Sequence, residues 1–147
     1  KDFKKFHPSG NLGAKLRNVE ELMITGSKIP FVNEGLKMKK ALQIISRKKL
    51  GTLIVQNTKK ITTGIITDGQ IRRFNETNNN FQDLTVKKVM TSNPISIDQD
   101  MLAEKALSIM TTKKITSLCV HSKKNKKKNN RNFAYTQHIT IKYLLNE

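Results

Sequence analysis

The sequence predicts a mixed α/β (α+β) fold made of two βαββα repeats packed as a pseudo-two-fold pair. Three observations carry that prediction. Four blocks of sequence recur in the same order about 65 residues apart, the mark of a duplicated unit. Each copy holds an apolar stripe at helical spacing. Each copy also holds short apolar runs with β-branched residues, which read as strands.

Lys1 to Leu16 contains Phe6-His7-Pro8-Ser9-Gly10-Asn11-Leu12-Gly13. Its proline and glycines mark a loop, read as the tail of a preceding domain and a linker (residues 1–16). The first repeat (17–76) opens on Val19-Glu20-Glu21-Leu22-Met23, which returns as Val86-Lys87-Lys88-Val89-Met90. Pro30-Phe31-Val32 returns as Pro94-Ile95-Ser96. Met38, Ala41, Leu42 and Ile45 fall at i, i+3, i+4 and i+7, one face of a helix. Ala103, Ala106, Leu107 and Met110 repeat that spacing. The apolar runs Leu50 to Val55 and Ile115 to Val120 are matching strands.

In the first repeat a turn over Gln56 to Lys60 leads into a second strand, Ile61 to Ile66, as a hairpin. A short helix over about Asp68 to Asn75 follows. Residues 77–85, preceded and entered by Asn-rich sequence, read as a polar connector. The second repeat (86–147) has its hairpin turn swollen by residues 123–132, with six positive charges and no apolar side chain. Such a run reads as a solvated loop tip, and its functional alternative is a polyanion patch. Beyond it Phe133 to Ile139 is a strand, and Thr140-Ile141-Lys142-Tyr143-Leu144-Leu145 mirrors the stretch that begins at Thr67.

At 147 residues the chain is one domain or two small ones, and 36% hydrophobic content suits a modest core. No apolar run approaches the roughly 18 residues of a membrane span, and no signal peptide is evident. The chain opens at Lys1 without an initiator Met, which points to a piece of a longer protein. Its formal charge of +17 favours polyanionic partners. Nucleic acid is nevertheless disfavoured, because aromatics are 5% and none interleave with the basic residues to stack on bases. Cys119 lies in an apolar run and reads as a buried core thiol in a reducing cytoplasm.

The chain is organised around Gly64-Ile65-Ile66-Thr67-Asp68-Gly69-Gln70-Ile71-Arg72-Arg73. A buried strand there runs into a helix start, collecting backbone N–H groups, hydroxyls and positive charge where a phosphorylated ligand would sit. The alternative is an ordinary helix cap, with Asp68 capping or with Thr67 and Thr140 as the N-caps of their junctions. Candidate ligand contacts are Ile66, Thr67 and Asp68 at the junction, with Arg72 and Arg73 for phosphate or carboxylate. Thr52, Lys114, Thr116, Ser117 and Thr140 complete the set from the neighbouring strand starts and the second repeat. His7, His121 and His138 have no metal-ligand spacing, so no metal is expected.

The tandem repeat with its Val-x-x-(Leu/Val)-Met openings resembles a pair of cystathionine β-synthase (CBS) domains. The motifs His7-Pro8-Ser9-Gly10-Asn11-Leu12-Gly13, Ile65 to Arg73 and Lys114-Ile115-Thr116-Ser117 further resemble the C-terminal half of bacterial arabinose 5-phosphate isomerases. That resemblance implies an N-terminal sugar isomerase (SIS) domain as the chain's partner. It implies aldose–ketose isomerisation supplying the Kdo of lipopolysaccharide, with His7 at the catalytic site of the full-length protein. It also implies a homodimer of CBS pairs within a homotetramer, and a nucleotide effector in place of a cofactor. CMP-Kdo is the expected effector, with an adenine nucleotide as the alternative. Gln70 and Tyr143 stand where the family pattern has an acidic residue that bonds ribose. Three roles follow: a nucleotide-sensing pair, a structural pair serving oligomerisation, and a basic nucleic-acid module.

Overall fold

A computed structural model describes residues 17–121 and the backbone of Gln137–Thr140. In chain order its elements are α1 (Val19–Leu22), β1 (Phe31–Asn33), α2 (Met38–Lys48), β2 (Thr52–Gln56), β3 (Thr62–Thr67) and α3 (Asp68–Thr77). There follow α4 (Val86–Val89), β4 (Thr91–Ser92), β5 (Ser96–Asp98), α5 (Ala103–Lys113), β6 (Ser117–His121) and β7 (Gln137–Thr140). The described residues form two compact units, Gly26–Pro94 and a second made of 17–25, 95–121 and 137–140.

Gly26–Pro94 is built on a four-stranded sheet of order β1-β2-β3-β4. β1 pairs with β2 in parallel, with α2 as the crossover, as parallel neighbours require. β2 and β3 are the expected antiparallel hairpin. Asn57 shapes its turn: the side-chain Oδ1 accepts the N–H groups of Lys59 at 2.9 Å and Ile61 at 3.0 Å. The apolar stripe of α2 buries Met38, Ala41 and Ile45 against Val32, Leu53, Val55 and Ile66. The helix stops at Lys49, in the left-handed region at φ 59, whose N–H reaches the Ile45 carbonyl at 3.1 Å.

Two features of this unit have no periodic signal. Residues 77–85 do more than connect: a 3-10 turn over Phe81–Asp83 places Phe81 in the core at 2% exposure. Its ring lies 6.5 Å from that of Phe74. The two-residue strand β4 adds to the sheet edge, pairing Ile65 with Thr91 and Gly64 with Ser92.

The second unit repeats the plan with the sheet β5-β6-β7, β5 parallel and β7 antiparallel to β6. α5 buries Ala103, Ala106 and Met110 against Ile97, Leu118 and Val120. It too ends on a left-handed lysine, Lys114 at φ 56. Thr140 closes β7, while residues 141–145 of the stretch that mirrors the one at Thr67, and the basic 123–132 segment, lie outside the described residues.

The duplicated opening turns do not stay with the repeats they begin. Val19 and Leu22 of α1 pack in the core that holds α5 and β6. The backbone ties are Val19 N–H to Met101 O and Ala103 N–H to Arg17 O, both 2.8 Å. Val86 and Val89 of α4 pack in the core that holds α2 and β2. There Val86 N–H bonds Leu36 O and Met38 N–H bonds Leu84 O, again at 2.8 Å. The compact units therefore exchange these turns relative to the boundaries drawn at 17–76, 77–85 and 86–147. Each turn serves as the lid of a small core, and burying two branched side chains there is worth a few kcal/mol.

Candidate functional site at the β3–α3 junction

The candidate site starts from a register pair. Thr52 opens β2 opposite Thr67, which ends β3, so the two hydroxyl residues stand side by side at the same end of the hairpin. Thr52 is 1% exposed and Ile66 fully buried, so they support the junction from below, while Thr67 is half-buried and Asp68 exposed. The chain turns from strand to helix at Thr67, whose extended backbone (φ −114, ψ 161) is that of an N-cap residue. The cap is thus Thr67, and Asp68 is the first helical residue.

The junction satisfies much of its own polarity. Thr67 and Gln70 form a capping box, in which Gln70 Oε1 accepts the Thr67 N–H at 3.0 Å. The Thr67 hydroxyl also approaches Gln70 Oε1 at 3.4 Å. The Asp68 N–H donates to the Gly51 carbonyl at 3.0 Å. Gly51 has φ 70, and a Cβ there would lie 2.9 Å from Asp68 Oδ2. Only glycine fits a position that combines left-handed backbone with so close a carboxylate. The other end of the Gln70 carboxamide reaches β4: Nε2 donates to Thr91 Oγ1 at 2.6 Å and to the Val89 carbonyl at 3.5 Å.

Positive charge is brought to this turn by one of the paired arginines. Arg73 folds back along α3, its Nη1 3.3 Å from where a Gly69 Cβ would stand. Arg72 and Arg73 are both exposed. A side chain at Gly69 would crowd the guanidinium, so the glycine leaves room for a cation beside the first helical turn. A carboxylate, a glycine-flanked turn and a guanidinium within one turn can bind an anionic group and orient a polar one.

The second unit reproduces the strand pairing, with Ser117 opposite Thr140 as Thr52 is opposite Thr67. Ser117 is 6% exposed, whereas Lys114 and Thr116 are exposed. The structure therefore groups Thr52, Ile66, Thr67, Asp68 and Arg73 in Gly26–Pro94, and Lys114, Thr116, Ser117 and Thr140 in the other unit. His7 lies outside the described residues. Cys119 is buried, and desolvation pushes its thiol from 9.0 up to about 12, which makes it a poor nucleophile. Among the described residues no group of three or more His, Cys, Asp or Glu can hold a metal ion. No described helix is long and apolar enough to cross a membrane.

Gln70 and Thr91 were not legible as a pair. The signal for half of it is present: Thr67-Asp68-Gly69-Gln70 has the Thr-x-x-Gln spacing of a capping box. No local pattern shows that the same amide reaches a residue 21 positions further on.

The family model of the CBS domain matches residues 19–76 and 86–127. The chain belongs to the CBS-domain family. Both CBS repeats have relatives in arabinose 5-phosphate isomerase KdsD. The protein of Francisella tularensis is 41% identical over 122 residues, 82% of this chain and 37% of that protein. The protein of Escherichia coli K12 is 36% identical over 120 residues, 81% of this chain and 37% of that protein. The chain thus spans little more than a third of the length of these curated relatives. Among solved structures, an uncharacterized conserved protein from Pyrococcus horikoshii superposes with a TM-score of 0.74 at 18% identity, covering 89% of this chain and 91% of that one. The CBS domain pair of MJ0100, in complex with 5′-methylthioadenosine and S-adenosyl-L-methionine, gives 0.72 at 16% identity, covering 88% and 93%. These superpositions establish the fold of a CBS pair.

Proposed function

We propose that this chain is the nucleotide-sensing CBS pair of an arabinose 5-phosphate isomerase, with CMP-Kdo as its effector. The observation that carries the reading is the β3–α3 junction. It sets Thr67, Asp68 and the folded-back Arg73 around one helix start, in a chain 41% identical to a KdsD protein over 122 residues. Related CBS structures solved with AMP or with S-adenosylmethionine supply the ligand class, a nucleotide or nucleoside. In this reading the CBS pair is joined to a SIS catalytic domain, to which His7 contributes, in a cytoplasmic homotetramer. The isomerisation itself, a proton transfer through an enediolate, belongs to that domain.

Thermal-shift and calorimetry measurements with CMP-Kdo, CMP, AMP, ATP and S-adenosylmethionine test it. A ligand at 100 times its dissociation constant stabilises the fold by about 2.7 kcal/mol, a rise in Tm of roughly 5–10 °C for a chain of this size. Selective stabilisation by CMP-Kdo is the expected result. A flat response to all five overturns the sensing role. It would favour the second reading, a structural CBS pair that holds isomerase subunits together. One observation supports that alternative: the Thr67 and Asp68 N–H groups are already bonded within the unit.

A further inference from the structure

Two polar ends of one side chain bridge three segments of Gly26–Pro94. Gln70 Oε1 faces the Thr67 N–H at 3.0 Å and its hydroxyl at 3.4 Å. Gln70 Nε2 holds Thr91 Oγ1 at 2.6 Å. Thr67 is the N-cap of α3, and its N–H and hydroxyl are donors suited to a phosphate oxygen. Gln70 is half-buried and Thr91 exposed, so the amide is within reach of solvent and of a ligand. β4, which carries Thr91, is two residues long and lies just before Pro94, where this unit ends.

We propose that Gln70 is an internal competitor for the junction. Its carboxamide holds the Thr67 donors in the ligand-free chain. A phosphorylated ligand takes their place at Thr67, and the displaced amide gives up Thr91. Gln70 is thereby a positioning residue that links occupancy of the junction to the β4 segment leading out of the unit. The inference rests on the reading of the junction as a ligand site. The cost of release lowers apparent affinity, because binding-competent molecules are a fraction of the whole.

The test has a ligand-free arm and a ligand arm. In the first, amide hydrogen exchange compares the wild-type chain with Gln70→Ala. Loss of the Oε1 acceptor accelerates exchange at Thr67 by about fivefold or more. In the second, calorimetry with CMP and with inorganic pyrophosphate compares wild type, Gln70→Ala, Thr91→Val and Thr91→Ser. Gln70→Ala binds about tenfold tighter, Thr91→Val about threefold tighter, and Thr91→Ser, which keeps the hydroxyl, binds as wild type. An unchanged Thr67 exchange rate overturns the proposal whatever the ligand data show. Probes that bind the wild type but bind Gln70→Ala no tighter overturn it while leaving the ligand site standing. Failure of every protein to bind either probe overturns the ligand site and this inference together.

Discussion

Gly64→Ala tests the close approach that lets β4 join the sheet. Gly64 lies in β3 opposite Ser92, and a Cβ built on it meets the Met90 sulfur in a severe clash. It also lies 2.8 Å from Met90 Cγ and 2.9 Å from the Thr91 carbonyl oxygen. A methionine side chain can rotate away, but the carbonyl belongs to the backbone of β4 and moves only if the strand moves. Overpacking of this kind costs about 1–3 kcal/mol, offset by roughly 0.5–1 kcal/mol from the lower chain entropy of alanine in the unfolded state. A net loss of about 1–2 kcal/mol lowers Tm by roughly 2–8 °C.

The assay is urea unfolding of wild type, Gly64→Ala, Met90→Ala and the double variant, as a thermodynamic cycle. Removing the Met90 side chain relieves the clash with sulfur and Cγ, leaving the carbonyl contact. The double variant is therefore more stable than the sum of the single losses predicts, by at least about 0.5 kcal/mol. A Gly64→Ala chain as stable as wild type, or strict additivity in the cycle, would refute the steric account.

Cys119 resists alkylation in the native chain at pH 8, since its thiol is held near 12 by burial. The same shift predicts that its stability contribution is complete below pH 9. It is lost between pH 9 and 12, by about 1.4 kcal/mol per pH unit, as the unfolded thiol ionises first. Urea unfolding of the chain against Cys119→Val across that range reads the difference, and a pH-independent gap contradicts it. Val19→Ala removes two methyl groups from a fully buried position and costs about 2 kcal/mol. Hydrogen exchange should quicken in 95–121 before it quickens in 26–94, the reverse of what an opening turn kept within its own repeat would produce. Arg17→Gln raises the Glu21 titration midpoint, because the Arg17 hydrogen bond is the leading cause that holds that carboxyl low. An unmoved midpoint by NMR would remove Arg17 as the cause.

The elements were legible where a local period states them. Met38, Ala41 and Ile45 mark α2, and the apolar run ending at Val55 marks β2, because burial on one face imposes a fixed spacing. β4 was not legible, since two residues, Thr91 and Ser92, have no period to show. Phe81 was hidden in a polar stretch, because one aromatic side chain, backed by the partly buried Leu84, can anchor a segment whose remaining residues are mostly polar and set no period. At the junction, residue type alone left both Thr67 and Asp68 as candidates for the cap, and the capping box with Gln70 gives it to Thr67.

The sequence by itself determined the duplication, the strand–helix–strand–strand order from β1 to β3 and its counterpart from β5 to β7, and the place where β3 hands over to α3. Each follows from interactions between residues a few positions apart, which leave their pattern in the chain. Tertiary structure alone decided which core each opening turn would cover, and that the Gln70 amide is held by Thr67 on one side and Thr91 on the other. Those outcomes depend on segments far apart in sequence that meet only on folding. Two turns with the same apolar spacing, Val19–Leu22 and Val86–Val89, carry nothing in that spacing to say which core each covers, and three-dimensional proximity settles the assignment.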